Sequence, residues 1–139
     1  MQTPDHIMIM TEFLREVRIV RLGAQHVSAG VRQWLGDSIG HWEGDTLVVD
    51  TTNFTAQTHF RGASENLHVV ERFQLIDGDT LLYGATVEDP SAYSRPWVIE
   101  YPFRRAAGPL YEDACHEGNY ALPGILKGAR KAEADGPKQ

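Results

Sequence analysis

Along most of the chain apolar and polar residues alternate one for one, the period at which side chains leave the two faces of a β-strand, and turn residues recur at short intervals. His6 to Phe13 and Glu16 to Leu22 alternate on either side of Leu14-Arg15 and predict a hairpin. Residues 23 to 31 hold no clean period and predict a loop that brings the chain to Trp34. Ser38 to Trp42, the turn Glu43-Gly44-Asp45 and Thr46 to Phe54 have the form strand, tight turn, strand. Leu67 to Ile76, Asp77-Gly78-Asp79 and Thr80 to Val87 repeat that form with the same Gly-Asp-Thr-Leu hinge. Pro96 to Arg105 alternates with Trp97, Ile99, Tyr101 and Phe103 on one face, while Pro102, which cannot donate to a ladder, marks an edge strand or a bulge. Pro109 to His116 supplies a further strand.

The period then changes. Leu122, Ile125, Leu126 and Ala129 recur at helical spacing, so Tyr120 to Ala134 predicts a short C-terminal helix over one end of the sheet, followed by a flexible tail at 135–139. Eight strands joined mostly by short turns predict an all-β, mainly antiparallel fold. The expected architecture is an up-and-down, eight-stranded, lipocalin-like barrel, whose interior holds side chains or one small ligand. A β-sandwich or jelly roll fits the same strands and is the alternative. At 139 residues the chain makes a single domain, taken as residues 1–134.

Composition narrows the function classes. Thirteen Lys and Arg against nineteen Asp and Glu leave a net charge of −6, which argues against a nucleic-acid partner, since phosphate binding is chiefly cationic. Apolar runs such as Thr46 to Val49 are far below the ~20 residues that cross a bilayer, and the start has no cationic-then-apolar export pattern, so the expectation is a soluble chain without membrane contact. The lone Cys115 rules out an intramolecular disulfide. The expected partner is a small molecule, with a homodimer through the Pro96 to Arg105 edge left open.

The residue that draws attention is Glu71. If Leu67, Val69, Phe73 and Leu75 face inward, strict alternation sends Glu71 inward as well. A carboxylate on an apolar face is paired with a cation, hydrogen-bonded to an Arg or Tyr as a structural group, or tuned for acid/base work. His68, three residues earlier, falls on the opposite face of a strand. Were Ser64 to Val70 helical, Glu65, His68 and Glu71 would share one side, but the β-branched content favours a strand. The catalytic candidates are therefore Glu71, assisted by His68 or His116. Asp50 and Thr52 at the end of an apolar strand, with Trp42, Tyr83, Trp97 and Tyr101 as aromatic wall, are the candidate ligand-binding set.

Six histidines stand singly, without metal-ligand spacing, so no cofactor is expected. A transition metal held by His41, His68 and His116 at a barrel mouth is the alternative. The absence of P-loop, GxGxxG and GxSxG motifs removes the usual local signatures of nucleotide, dinucleotide and hydrolase-elbow chemistry. Taken together, the residues suggest a small-molecule-binding barrel that works as a cofactor-free isomerase, lyase or hydrolase with a buried carboxylate as general acid or base. A non-catalytic binding module and a His-based metal site are the other readings.

The strings WLGDSIGHWEGDTLVVDTTNF (Trp34 to Phe54), SENLHVVERF (Ser64 to Phe73), VEDPSAYSRPW (Val87 to Trp97) and YEDACHEGNY (Tyr111 to Tyr120) resemble a family of uncharacterised proteins from soil bacteria. The resemblance spans most of the chain and implies no particular reaction. Members of that family are longer at the N-terminus and often exported, so it implies a likeness to their C-terminal part and a periplasmic or extracellular setting.

Overall fold

The computed structural model describes residues 1–11, 16–58, 60–109 and 120–136. Seven strands lie in one sheet in chain order: β1 (His6–Met10), β2 (Val17–Leu22), β3 (Asp37–Glu43), β4 (Thr46–Thr52), β5 (His68–Leu75), β6 (Thr80–Glu88) and β7 (Trp97–Arg104). The two Gly-Asp-Thr-Leu hinges make the hairpins foreseen from their repetition: Glu43 pairs with Thr46 across one, and Leu75 with Leu81 across the other. In both hinges the threonine, Thr46 or Thr80, is buried at the start of its strand.

The sheet is mixed rather than wholly antiparallel. β2 and β3 run parallel, Val20 beside Ser38 and Leu22 beside Gly40, because the connection 23–36 carries the chain back before β3 begins. The other neighbours are antiparallel. The sheet curls into a half-barrel with β1 and β7 at its edges among the described residues. Pro109 lies in no strand, and the rest of the expected eighth strand falls outside the described residues.

The core lies on the concave face. Ile7, Val20, Leu47 and Val49 form one buried cluster, and Phe54, Leu67 and Val87 a second. Gly40 sits in the first because a Cβ there would stand 2.7 Å from Val20 Cγ1, so a side chain would push β2 away from β3.

The helix α1 (Ala121–Asp135) forms where the helical period predicted it and runs one residue past the expected end, but it does not cover the sheet. None of its residues is buried, and Leu122 and Ile125 are 65% and 67% exposed. Of the expected tail, 137–139 lies outside the described residues.

Candidate functional site

Register carries one face of the sheet from strand to strand. Val49 pairs with Glu71, Glu71 with Ala85, and Ala85 with Ile99; one row along, Leu47 pairs with Phe73, Phe73 with Tyr83, and Tyr83 with Tyr101. This is the concave face, and it encloses a cavity of about 530 Å³. Val69, Ala85, Val87 and Ile99 give the cavity an aliphatic floor, and Tyr83 and Tyr101 give it aromatic surface.

Loops close one end. Trp34, Phe54 and Phe60 line the cavity from outside the strands, the Thr58 hydroxyl donates to the Trp34 carbonyl at 2.8 Å, and Phe60 stacks on Trp97. Asp89, 2% exposed, ties these loops together by accepting from the backbone N–H groups of Ser64 and Ser91. Burial pushes its carboxyl pKa up, but those hydrogen bonds outweigh burial and hold it below the ordinary range.

Glu71 projects into this hollow with its side chain 7% exposed. Arg18 Nη2 donates to Glu71 Oε1 at 2.9 Å, and Arg18 Nη1 lies 2.5 Å from Oε2. The Tyr83 hydroxyl donates to Oε1 at 3.0 Å. Oε2 receives no aligned hydrogen bond among the described residues, so its contact with the guanidinium is an ion pair only. β2 and β5 are three strand spacings apart, roughly 14 Å in a flat sheet, so the pair bridges the hollow and requires the curl. Burial, then the Glu71 charge and the hydrogen bond to it, drive the Tyr83 pKa far above its ordinary value. Tyr83 is thus a fixed donor.

A second polar cluster occupies the convex face. His26, from the 23–36 connection, stands between Asp37 Oδ2 and Asp50 Oδ1 with one ring nitrogen 3.0 Å from each. His68 Nε2 lies 3.1 Å from the same Asp50 oxygen. Asp37 also accepts from Arg21 at 2.8 Å and from the Val27 N–H at 2.9 Å. Burial raises the Asp37 pKa, and the bonds from Val27, His26 and Arg21 more than reverse this. The cluster straps the connection to the sheet.

The structure therefore brings Glu71, Tyr83 and Tyr101 together at the cavity. It places His68 and Asp50 on the opposite face, as alternation from Glu71 requires, and Thr52 lies there too, since it pairs with Asp37. Trp97 packs behind Phe60 and Tyr93 rather than among the cavity's lining residues, and Trp42 is half exposed near the β3–β4 turn. His41 pairs with exposed Glu43 and stands level with Arg72, four residues along β5 from His68. The structure thus does not bring His41 and His68 together, and His116 and Cys115 lie outside the described residues. No group of three or more His, Cys, Asp or Glu among the described residues is arranged to hold a metal ion.

Arg18 was missed by sequence reasoning. In VRIVRL the two alternating faces read Val17, Ile19, Arg21 and Arg18, Val20, Leu22, each with two apolar residues and one arginine, so the pattern does not say which face turns inward. Phe60 was missed as well, since it sits in a loop, where no periodicity signals a place in the lining. No family model, no curated protein and no solved structure matches the chain. No helix of the described residues is long and apolar enough to cross a membrane.

Proposed function

We propose that the protein binds a small, largely apolar molecule in the hollow of its half-barrel. The observation that carries this reading is the mostly apolar cavity of about 530 Å³ with the bonded group Arg18–Glu71–Tyr83 on its wall and Thr11, Glu16 and Thr58 as its other polar lining among the described residues. That volume lies within the range of small-molecule sites, and a few polar groups on an apolar wall fix a ligand's orientation. In this reading the half-barrel works as a lipocalin-like cup, in the periplasmic or extracellular setting that the family resemblance implies.

Titration with the neutral solvatochromic dye Nile red tests it. A saturable blue shift with one site per chain is expected in the parent protein. It is expected to vanish in Ala85→Phe, whose ring would fill the space beside Glu71. Dye binding that is absent, or unaffected by the filled cavity, overturns the reading.

A second reading, a cofactor-free acid/base enzyme, has one observation in its favour: a carboxylate, Glu71, stands among the apolar residues that line the cavity. Tyr83 would hold the carboxylate in place and, as a fixed donor, would not itself serve as a base. His68 has no part in this version because it faces the other side. Prolonged incubation of bound ligands followed by mass spectrometry separates the readings. Conversion that stops in Glu71→Gln supports an enzyme, and ligands recovered unaltered support the binding module.

A further inference from the structure

The charges around the hollow bear on which molecules it accepts. Among the described residues three charged side chains line it: Glu16, Arg18 and Glu71. Their sum is −1, because the one cation is already neutralised by Glu71 through two guanidinium nitrogens. An anionic ligand entering here would meet no uncompensated positive charge among the described residues, would lose its hydration, and would face Glu16. The whole chain, at −6, adds to the repulsion. Arg18 nonetheless keeps hydrogen-bonding capacity. A guanidinium has five N–H donors, Glu71 engages only Nη1 and Nη2, and the Arg18 side chain is 20% exposed where it lines the cavity. These donors suit a neutral oxygen. The walls suit rings, since Trp34, Phe54, Phe60, Tyr83 and Tyr101 surround the hollow.

Resting on the binding reading above, we infer that the ligand is a neutral, ring-bearing molecule with a hydroxyl or carbonyl oxygen held by Arg18, and that carboxylates, fatty acids included, are excluded by charge. The Glu71 carboxylate is what makes the selection: it cancels the charge of Arg18 while leaving its outward N–H groups in place.

Three probes with one ring skeleton test this by isothermal titration calorimetry at pH 7: 2-naphthol, methyl 2-naphthoate and 2-naphthoate. The first two are expected to bind, with 2-naphthoate at least about tenfold weaker than its methyl ester, a difference that a single unmatched charge readily produces. Glu16→Gln is expected to narrow that gap, read as the ratio of the dissociation constants of 2-naphthoate and its methyl ester. Glu71→Gln, which leaves Arg18 positive, is expected to reverse the preference toward 2-naphthoate, while Glu16→Gln keeps the question answerable if that variant fails to fold. Equal or tighter binding of 2-naphthoate by the parent protein overturns the charge selection but leaves the cavity as a binding site. Binding of none of the three, together with no Nile red binding, overturns both.

Discussion

Removing Arg18 alone would strand the Glu71 carboxylate in an apolar hollow, and an uncompensated buried charge is among the costlier single changes a small domain can suffer. Arg18→Met is expected to destabilise by about 3 kcal/mol, the lower end of the range for such pairs because the arginine keeps some contact with water. Arg18→Met with Glu71→Met is expected to recover most of that loss in urea unfolding. If the double variant is as unstable as the single one, the loss comes from packing and not from stranded charge. A second residue-scale constraint is Gly36, at φ 71°, where a Cβ would stand 2.7 Å from both Thr51 Cγ2 and the Thr52 carbonyl oxygen. The left-handed backbone alone costs an alanine about 1–2 kcal/mol, so Gly36→Ala is expected to lose at least about 2 kcal/mol by the same measurement.

Among the elements, the 23–36 connection and α1 behave as opposites. The connection is pinned through Asp37, whose pKa is lower folded than ordinary. A carboxylate of that kind contributes its full stability above its unfolded pKa and loses it as pH falls through the folded value. Stability is therefore expected to decline below the ordinary carboxylate range, with Asp89 acting in the same direction. Asp37→Asn is expected to lower the plateau near neutral pH and flatten the acid limb, read as melting temperature against pH. In α1 nothing is buried, so replacing Leu122, Ile125 and Leu126 together by Gln is expected to move the melting temperature of the sheet hardly at all, within the spread of ordinary surface changes. A downward shift of several degrees would show that the helix packs in solution.

Most of the strands were legible in the sequence because each obeys a local rule: period two between turn residues, and hinges that close on a neighbour. Glu71 was legible for the same reason, since its inward placement follows from four flanking apolar residues of equal parity. What the pattern could not carry is contact across the molecule. The antiparallel pairs β3–β4 and β5–β6 follow from tight turns, but the parallel β2–β3 pairing is made by a long connection whose path depends on His26 and Asp37 meeting on the convex face. The choice of Arg18 over Arg21 as the inward arginine is likewise decided only once β2 lies across from β5. The helix was correctly placed along the chain and wrongly assigned a cover role, because an amphipathic period states that a face is apolar and not what it rests on.

The bridge from Arg18 to Glu71 also has a mechanical meaning at the scale of the whole molecule. Four strands, β2 to β5, form an arc, and the ion pair is its chord, a strut of set length in a sheet whose outermost strands among the described residues are β1 and β7. With the strut cut and both ends made apolar, the arc is free to flatten and the hollow to widen. Breadth of selection is then expected to change more than strength: the Met/Met pair should grip naphthalene-sized neutral rings less well and pyrene-sized ones better, a ratio that calorimetry reads directly. An unchanged ratio would mean that the sheet holds its own curvature and that the ion pair merely spans it.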